Sequence, residues 1–351
     1  MTRPLPADEL RQIADGLRQN LSQLANAHVL VTGASGFFGR WLVETLVAID
    51  AQYGLGLTVS AVARDEARLA AVFAHLQGRR VRLIAADVRD VVVPGGVTHV
   101  VHAATTASAA LNDTDPAEMI SVIVDGTRRV LAQTTSASRF LFVSSGAVYG
   151  PQRSAAVDET VGTGPDPLDP RSAYAEGKRL AETLCAIAGA SSSSRTIVTA
   201  RAFAFVGPGL PLDAHFAIGN FIADGLAGRP IIVAGDGTPV RSYLYASELT
   251  LWLLRLLLDG RGGRAYNVGS DVGIDIRTLA ETVGAYFGVP VEVRGTASPG
   301  VAPPRYVPAV ARIADELGLH QQIDLASAIA RTVRWHRGEA AVHDETAATS
   351  T

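Results

Sequence analysis

Residues 28–39 read HVLVTGASGFFG and decide the fold. An apolar strand leads into a glycine-rich turn, and the turn leads into a helix. Gly33 permits the tight turn, Gly36 leaves room for a pyrophosphate beside the backbone, and Gly39 lets the helix pack closely on the strand. The helix N-terminus offers unpaired N–H groups and a positive dipole end to phosphates. The predicted dinucleotide contacts are Gly33, Ser35, Gly36, Phe37, Phe38 and Gly39.

The composition of the 351-residue chain argues against several classes of protein. A net charge of -3 disfavours a dedicated binder of nucleic acids or anionic membranes, because such proteins usually carry a basic surplus. Hydrophobic residues make up 48% and the mean hydropathy is +0.20. The most apolar stretch, residues 249–258, is nevertheless too short to span a membrane and predicts a buried helix. Scattered histidines and the single Cys185 predict no metal site and no internal disulfide.

No signal peptide is expected, because residues 1–8 lack a basic segment followed by an apolar core. Together with the composition, this predicts a soluble, cytoplasmic protein.

Short apolar strands alternate with amphipathic helices after residue 28. This rhythm predicts the α/β class, with a Rossmann-like, doubly wound parallel sheet. It breaks at Phe203, where glycine and proline begin to cluster, so a smaller C-terminal substrate-binding lobe is expected. The predicted units are an N-terminal amphipathic helix extension (1–26), a dinucleotide-binding domain (27–202, with a return segment at about 240–270), the lobe (203–239 and 271–338) and a disordered tail (339–351).

Residues 7–25 predict one amphipathic helix, because leucine and isoleucine recur at spacings of three or four. We expect this helix to pack on the domain or on a neighbouring subunit. The other predicted elements are strands at 28–32, 57–63, 81–85, 99–102, 140–144 and 196–200 and helices at 39–49, 66–77, 119–133 and 173–188.

The end of the second strand bears on the choice between NAD and NADP. An acid there binds the ribose 2′-hydroxyl, whereas an arginine accommodates a 2′-phosphate. Arg64 comes first and Asp65 follows it, which favours NADP without deciding the question. Asp87, after the third strand, is placed either to meet the adenine or to cap the next helix. Val88 and Ala103 complete the predicted cofactor contacts.

Tyr174 and Lys178 stand four residues apart on one predicted helix face. An ammonium and the positive nicotinamide of an oxidised cofactor would favour the phenolate and lower the pKa of the tyrosine from about 10. The pair can then take a hydroxyl proton while hydride leaves. Ser144 and Ser145 end the fifth strand at the ligand-binding edge of the sheet, where a hydroxyl can hold the reacting oxygen.

The glycine motif, Ser145, Tyr149-Gly150 and Tyr174…Lys178 together resemble the extended short-chain dehydrogenase/reductase family, in its nucleotide-sugar epimerase/dehydratase branch. The resemblance runs from about residue 28 to residue 336. It implies NAD or NADP as cofactor, a nucleoside-diphosphate sugar as substrate and a homodimer built on two helices per subunit. The implied substrate contacts are Thr105, Ser144, Ser145, His215, Asn220, Arg241 and Arg305, of which the two arginines would hold the diphosphate.

Two departures from the family pattern bear on the reaction. Gly146 and Ala147 follow Ser145, whereas the family's 4,6-dehydratases carry acids there and its decarboxylases a glutamate. Elimination of water needs such acid/base groups. Ala204 stands where relatives commonly have an asparagine that contacts the phosphates. His215 could add an acid/base, although a structural role is the more common one for a lone histidine, and packing is expected of His102.

Three functions stay open at this point. The first is an epimerase that works through a transient 4-keto sugar, with Tyr174 as acid/base, Lys178 as its partner and Ser145 orienting the hydroxyl. The second is an NADPH-dependent reductase of nucleotide 4-keto sugars, which Arg64 favours. The third is a non-catalytic dinucleotide sensor, against which the retention of all three catalytic residues argues.

Overall fold

A computed structural model of the chain describes residues 3–105, 109–214, 216–297, 300 and 302–339. The strands are β1 (His28–Thr32), β2 (Thr58–Ala63), β3 (Val81–Ala85), β4 (His99–His102), β5 (Arg139–Ser145), β6 (Thr196–Ala202), β7 (Phe205–Val206), β8 (Ile231–Val233), β9 (Val240–Arg241), β10 (Leu244–Tyr245), β11 (Ala265–Val268), β12 (Ile274–Asp275), β13 (Val291–Val293) and β14 (Arg305–Tyr306). The helices are α1 (Ala7–Gly16), α2 (Leu21–Leu24), α3 (Phe37–Tyr53), α4 (Glu66–Phe73), α5 (Ala109–Thr114), α6 (Pro116–Gln133), α7 (Ala173–Ala190), α8 (Ala217–Leu226), α9 (Ala246–Asp259), α10 (Ile276–Phe287), α11 (Ala311–Leu317) and α12 (Leu325–Arg337).

Seven strands form one parallel sheet in the order β11-β6-β5-β4-β1-β2-β3. The strand before the glycine turn, β1, lies inside this sheet and pairs with both β2 and β4. Its side chains alternate between the two faces, because successive residues of a strand point in opposite directions. Val29 and Val31 belong to one buried apolar cluster and Leu30 to another. The predicted doubly wound, Rossmann-like fold is thereby confirmed.

Helices cover both faces of the sheet, as parallel strands require. On one face α3 and α9 contribute residues such as Trp41 and Trp252 to the first cluster. On the other face α6 and α7 contribute Met119 and Cys185 to the second cluster. The apolar stretch 249–258 lies within α9 and is a buried helix, as predicted. Among the described residues, no helix combines the length and the apolar character needed to cross a membrane.

The N-terminal segment differs from the single helix predicted over residues 7–25. The first helix, α1, ends at Gly16, and a short 3₁₀ turn over Arg18–Asn20 precedes α2. Gly16 is a poor helix former, and a Cβ there would lie 3.1 Å from the Leu251 side chain of α9. The predicted apolar face is nevertheless buried, since Ile13 and Leu17 join the first cluster.

Other boundaries shift by a few residues. The helix predicted at 39–49 covers Phe37–Tyr53, and the one predicted at 66–77 ends as an α-helix at Phe73 and continues as a 3₁₀ turn. Strands β3 and β4 have the predicted bounds. The remainder of the chain forms short sheets, namely β7 with β10, β8 with β13, and β9 between β12 and β14. With α8, α10 and α12 they surround a third apolar cluster. The predicted disordered tail, apart from Glu339, lies outside the described residues.

Candidate active site

The glycine turn after β1 has the geometry that a dinucleotide needs. Gly33 has a φ of +73°, and a Cβ there would lie 2.6 Å from the backbone oxygen of Ala103. At Gly39 a Cβ would lie 2.3 Å from the oxygen of Gly33, so helix and turn touch. Gly36 precedes α3 with no side-chain cap, and a Cβ there would meet only the Gly33 oxygen, at 3.2 Å. The first-turn N–H groups of α3 thus have no side-chain cap, and the space beside Gly36 is open for a phosphate.

The other turn residues hold this geometry in place. Phe37 and Phe38 begin α3, and the ring of Phe38 meets that of Phe205 edge-on at 5.0 Å. Phe37 packs against both the first and the third apolar clusters. Ser35 is half-buried within the turn.

The acid after the second strand, Asp65, has a structural role. Asp65 caps α4, since its carboxylate accepts the backbone N–H of Arg68 at 2.9 Å. Arg64 is exposed at the end of β2, on the cofactor edge of the sheet.

Asp87 does not cap a helix. Its carboxylate accepts three N–H groups of Arg89, all at 2.9 Å, and Arg89 also pairs with Glu118 at 2.8 Å. The bond from the Arg89 side chain holds the pKa of Asp87 below its usual range. Val88 is buried, and a Cβ on Gly126 would approach its side chain to 2.5 Å. The buried Val88 side chain therefore packs against α6.

The predicted catalytic residues come together at the carboxyl end of the sheet. Tyr174 and Lys178 lie in the first turns of α7, and Ser145 ends β5. The Lys178 ammonium donates to the Val143 oxygen and to the Thr105 hydroxyl, each at 2.7 Å. One of its three N–H groups is left for a ligand. Burial lowers the pKa of Lys178 to about 7, although the nearby Glu182 carboxylate opposes the shift.

The pKa of Tyr174 moves against the sequence-based expectation. Burial raises it, and a hydrogen bond with Ser145 only partly offsets this effect. A desolvated phenolate is costly without a positive charge at hand. The protein alone therefore keeps Tyr174 protonated, and further positive charge is needed for it to act as a base.

Tyr306 is a site residue that sequence reasoning missed. Its hydroxyl lies 3.3 Å from the Ser145 hydroxyl, and its ring packs at a tilt against that of Phe203, with the ring centres 4.7 Å apart. The guanidinium of Arg241 stands 5.8 Å from the centre of the same ring. The sequence did contain a signal for Tyr306, namely the alternation of side chains along a strand. Because neighbouring residues of a strand face opposite sides, only one of Arg305 and Tyr306 can face the site.

Arg305, predicted as a second phosphate ligand, lies apart from this group. Strands β14 and β9 are parallel, with Tyr306 beside Arg241 and Arg305 beside Val240. Adjacent residues of a strand face opposite ways, so Arg305 points to the other side of this small sheet. There its side chain donates to the Ala155 oxygen at 3.1 Å.

The remaining predicted substrate residues are spread around the site. Ser144 turns away from Ser145 and donates to Glu182 at 2.6 Å, in a network where Arg201 forms a two-pronged ion pair with the same carboxylate. Asn220 is exposed in α8. His215 lies outside the described residues.

The segment after Ser145 has no room for an acid at its first position. A Cβ on Gly146 would lie 2.7 Å from the Phe203 ring. Ala147 donates its backbone N–H to the Ser145 hydroxyl at 3.1 Å and adds only a methyl group. The lack of an acid at residue 146, noted in the sequence, thus has a steric cause. The ring of Phe203 packs against this position.

His102 has the packing role expected of it. Its ring bonds to the hydroxyls of Thr32 and Thr127 at 2.7 and 3.0 Å. Burial lowers the pKa of His102 to about 3, so the ring is neutral at physiological pH. Within the described part of the chain, no cluster of three or more His, Cys, Asp or Glu side chains is arranged to hold a metal ion.

A doubly wound sheet, a glycine cradle and a Ser-Tyr-Lys set define an enzyme of the short-chain dehydrogenase/reductase type. The family model described as NAD dependent epimerase/dehydratase matches residues 29–269, and the chain belongs to that family. The predicted extended subgroup is confirmed.

Curated relatives and solved structures agree with this assignment. The chain is 28% identical over 319 residues to UDP-glucuronic acid decarboxylase 1 of Arabidopsis thaliana, covering 90% of this chain and 71% of that protein. It is 29% identical over 318 residues to dTDP-glucose 4,6-dehydratase of Streptomyces griseus, covering 88% of this chain and 94% of that protein. The structure of UDP-glucuronic acid 4-epimerase from Bacillus cereus, in complex with UDP-glucuronic acid and NAD, superposes with a TM-score of 0.74 at 21% identity, covering 89% of this chain and 99% of that one.

Substitutions in the glycine turn should separate folding from cofactor binding. Gly33→Ala should lower the free energy of unfolding by roughly 1–3 kcal/mol through backbone strain, because an alanine resists the φ of +73°. Gly36→Ala should leave stability nearly unchanged and weaken dinucleotide binding about tenfold, or ~1.4 kcal/mol. Urea unfolding and calorimetric titration measure the two quantities. Equal effects of the two variants on both quantities would contradict the assigned roles.

Proposed function

We propose that the protein is an NAD(P)-dependent enzyme that modifies a nucleoside-diphosphate sugar by hydride transfer at carbon 4, most simply as an epimerase. The single observation that carries the proposal is the placement of Ser145 at the end of β5 and of Tyr174 and Lys178 in the first turns of α7, with the Lys178 ammonium bonded to β5 at Val143. The cradle at Gly36 fits a dinucleotide, because a side chain there would fill the space for its phosphates. When bound, the cofactor accepts and returns hydride and brings a positive nicotinamide to the site.

The residues then divide the proton chemistry between them. Ser145 orients the reacting hydroxyl by a hydrogen bond, and Tyr174 takes the proton as hydride leaves. Lys178 donates to the cofactor ribose and supplies positive charge near the phenol. For an epimerase, Tyr174 later returns the proton to the oxygen after the keto sugar has rotated. Proton and hydride are therefore both restored, and the substrate keeps its mass.

The sequence after Ser145 supports this reaction over the dehydration named for one of the curated relatives. The curated relatives include a UDP-glucuronic acid decarboxylase and a dTDP-glucose 4,6-dehydratase. Elimination needs a base for a carbon-bound proton and an acid for the departing hydroxyl. Gly146 and Ala147 supply neither, and Phe203 fills the space beside Gly146. Hydride transfer at carbon 4 requires only the groups that are present.

Arg241 is proposed to hold the diphosphate, and Thr105, Tyr306 and Asn220 to line the sugar. A guanidinium suits this task because its planar N–H groups fork onto phosphate oxygens. Its guanidinium lies 5.8 Å from the centre of the Tyr306 ring, and the hydroxyl of that tyrosine lies 3.3 Å from the Ser145 hydroxyl. Arg305 and His215 stay predictions for the same ligand.

A second candidate function is NADPH-dependent reduction of a nucleotide 4-keto sugar. One observation favours it: Arg64 is exposed directly after β2, the position at which an arginine accommodates a 2′-phosphate. NADPH suits a net reductase because it is consumed and exchanged. An epimerase would keep its cofactor and regenerate it.

Product analysis separates these functions. The purified protein is incubated with UDP-, dTDP-, GDP- and CDP-sugars, and products are followed by mass and NMR. Unchanged mass with one inverted carbon supports the epimerase, and a gain of two hydrogens with loss of NADPH supports the reductase. Loss of water would refute the interpretation of Gly146 and Ala147. Cofactor binding without any product would support a dinucleotide sensor.

Tyr174→Phe should lower kcat by roughly 10²–10⁴-fold, because the proton acceptor is lost. Binding of the cofactor should stay within about twofold, since the ring and Lys178 remain. The control is Tyr286→Phe on the exposed surface of α10, which should change neither quantity. Full turnover by the Tyr174 variant would show that another group is the base.

Arg64→Ala should weaken NADP⁺ binding by about tenfold, the loss of one charge-assisted contact of ~1.5 kcal/mol. NAD⁺ binding should change little, because it has no 2′-phosphate. Parallel titrations with the two dinucleotides measure the difference, with the exposed Arg128→Ala as control. An equal loss for both dinucleotides would indicate that Arg64 does not read the 2′ position.

We also propose a homodimer through α6 and α7. These helices pack on each other and expose large apolar side chains, among them Leu180 and Ile187, which lie seven residues apart on one face of α7. Placing Glu at both positions should convert the dimer to a monomer in light scattering after gel filtration. Leu168→Glu, in a loop elsewhere, should leave the dimer intact. A wild-type monomer at micromolar concentration would refute this arrangement.

A further inference from the structure

The N-terminal segment, residues 3–27, lies across both parts of the molecule, and we call it the strap. On the cofactor side, the backbone N–H of Leu5 donates to Glu44 of α3 at 2.9 Å, and the Asn20 amide donates to Asp259 of α9 at 2.7 Å. On the lobe side, the indole N–H of Trp335 in α12 donates to the Pro4 oxygen at 2.9 Å. The strap therefore joins three helices that do not follow one another in the chain.

One of these helices borders the candidate active site, and another belongs to the lobe. Helix α3 begins at the dinucleotide turn, directly after Gly36. Helix α12 places Ile329 and Val333 in the third apolar cluster, which belongs to the lobe. Phe37, the first residue of α3, also packs against that cluster. The strap is thus in contact both with the helix that follows the glycine turn and with a helix of the lobe.

The strap carries a buried carboxyl group that faces α12. Glu9 of α1 is only 4% exposed. One of its oxygens accepts the Tyr245 hydroxyl at 2.8 Å, and the nearest cation is Arg331 of α12, at 3.9 Å. Its other oxygen is buried without a hydrogen-bond partner among the described residues. A charged carboxylate in such a place is poorly compensated.

The surrounding charges do not neutralise Glu9 fully. Arg331 also interacts with the buried Glu248 of α9, whose carboxylate accepts the backbone N–H of Ile323 at 3.2 Å. The other charges that act on Glu9 are Asp8 of α1, which raises its pKa, and Arg334 of α12, which lowers it.

We propose that the strap is a pH-dependent clamp, held between α3 and α12 while Glu9 is protonated and loosened when Glu9 must carry its charge. Burial supports this assignment, since it raises the pKa of Glu9 to about 7 against the opposing effects of Tyr245 and Arg331. The inference concerns the closure of the lobe and does not depend on which sugar reaction the site performs.

The direction of the pH effect follows from linkage. The docked strap binds a proton more tightly than the released strap, in which Glu9 has its ordinary pKa. Docking is therefore strongest below about pH 4.5, weakens as the pH rises towards 7, and levels off above the raised value. From about pH 6 to about pH 8 the equilibrium constant for strap opening should rise roughly tenfold.

Hydrogen exchange measured by mass spectrometry tests the clamp in the full-length protein. After correction for the intrinsic pH dependence of exchange, peptides within residues 3–27 should lose protection roughly tenfold between about pH 6 and about pH 8. Glu9→Gln mimics the protonated acid and should make protection independent of pH. Asp8→Asn removes a neighbouring, less buried charge and should keep the wild-type slope. Identical slopes for wild type and Glu9→Gln would overturn the proposal.

A second variant covers the case in which Glu9→Gln does not fold. Arg331→Gln removes the cation that favours the Glu9 carboxylate. The pH dependence of strap opening should then become steeper over the same range, because the raised pKa moves further up. A shallower or unchanged slope would show that Glu9 does not govern docking.

Discussion

The close approach of the turn after β1 to the end of β4 is the constraint on which the remaining structure depends. Gly33 lies so near the Ala103 backbone that no side chain fits between them. This contact keeps the glycine turn over the edge of the sheet and starts α3 in the direction of the ligand. It also positions the segment that leads to Thr105, whose hydroxyl oxygen accepts a hydrogen bond from the Lys178 ammonium. The glycine turn and Lys178 are in this way parts of one arrangement.

The electrostatics of the site come from a few buried groups and not from the overall charge. Lys178 is desolvated and held by neutral oxygens, so its charge is sensitive to its surroundings. Glu182, one turn further along α7, compensates that charge while binding Arg201 and Ser144. Such a connected polar network costs little when each group is satisfied, and it keeps the strand ends rigid.

Much of the fold could be predicted from the sequence because its signals are local. Strands β3 and β4 and the buried helix α9 follow from apolar runs and turn residues. The break at Gly16 could not be foreseen, because it depends on how closely α1 approaches Leu251 in α9. Tertiary contacts of this kind override the spacing of leucines.

The candidate site could likewise be predicted from the sequence only in part. The spacing of Tyr174 and Lys178 on one helix was visible, since four residues make about one turn. The position of Tyr306 beside Ser145 was not, because it depends on how β14 pairs with β9. The raised pKa of Tyr174 was equally hidden, since desolvation depends on what the whole fold places around the phenol.

The packing of Phe203 on Gly146 has a consequence for how this enzyme could diverge. A side chain at residue 146 and the ring at residue 203 compete for one volume. Substitutions at sites in contact are not additive, and here each would be harmful or without benefit on its own. A descendant protein that needs an acid at residue 146 would first have to replace Phe203 with a smaller residue. The order of substitution is thereby restricted, and the present reaction is buffered against single changes at that position.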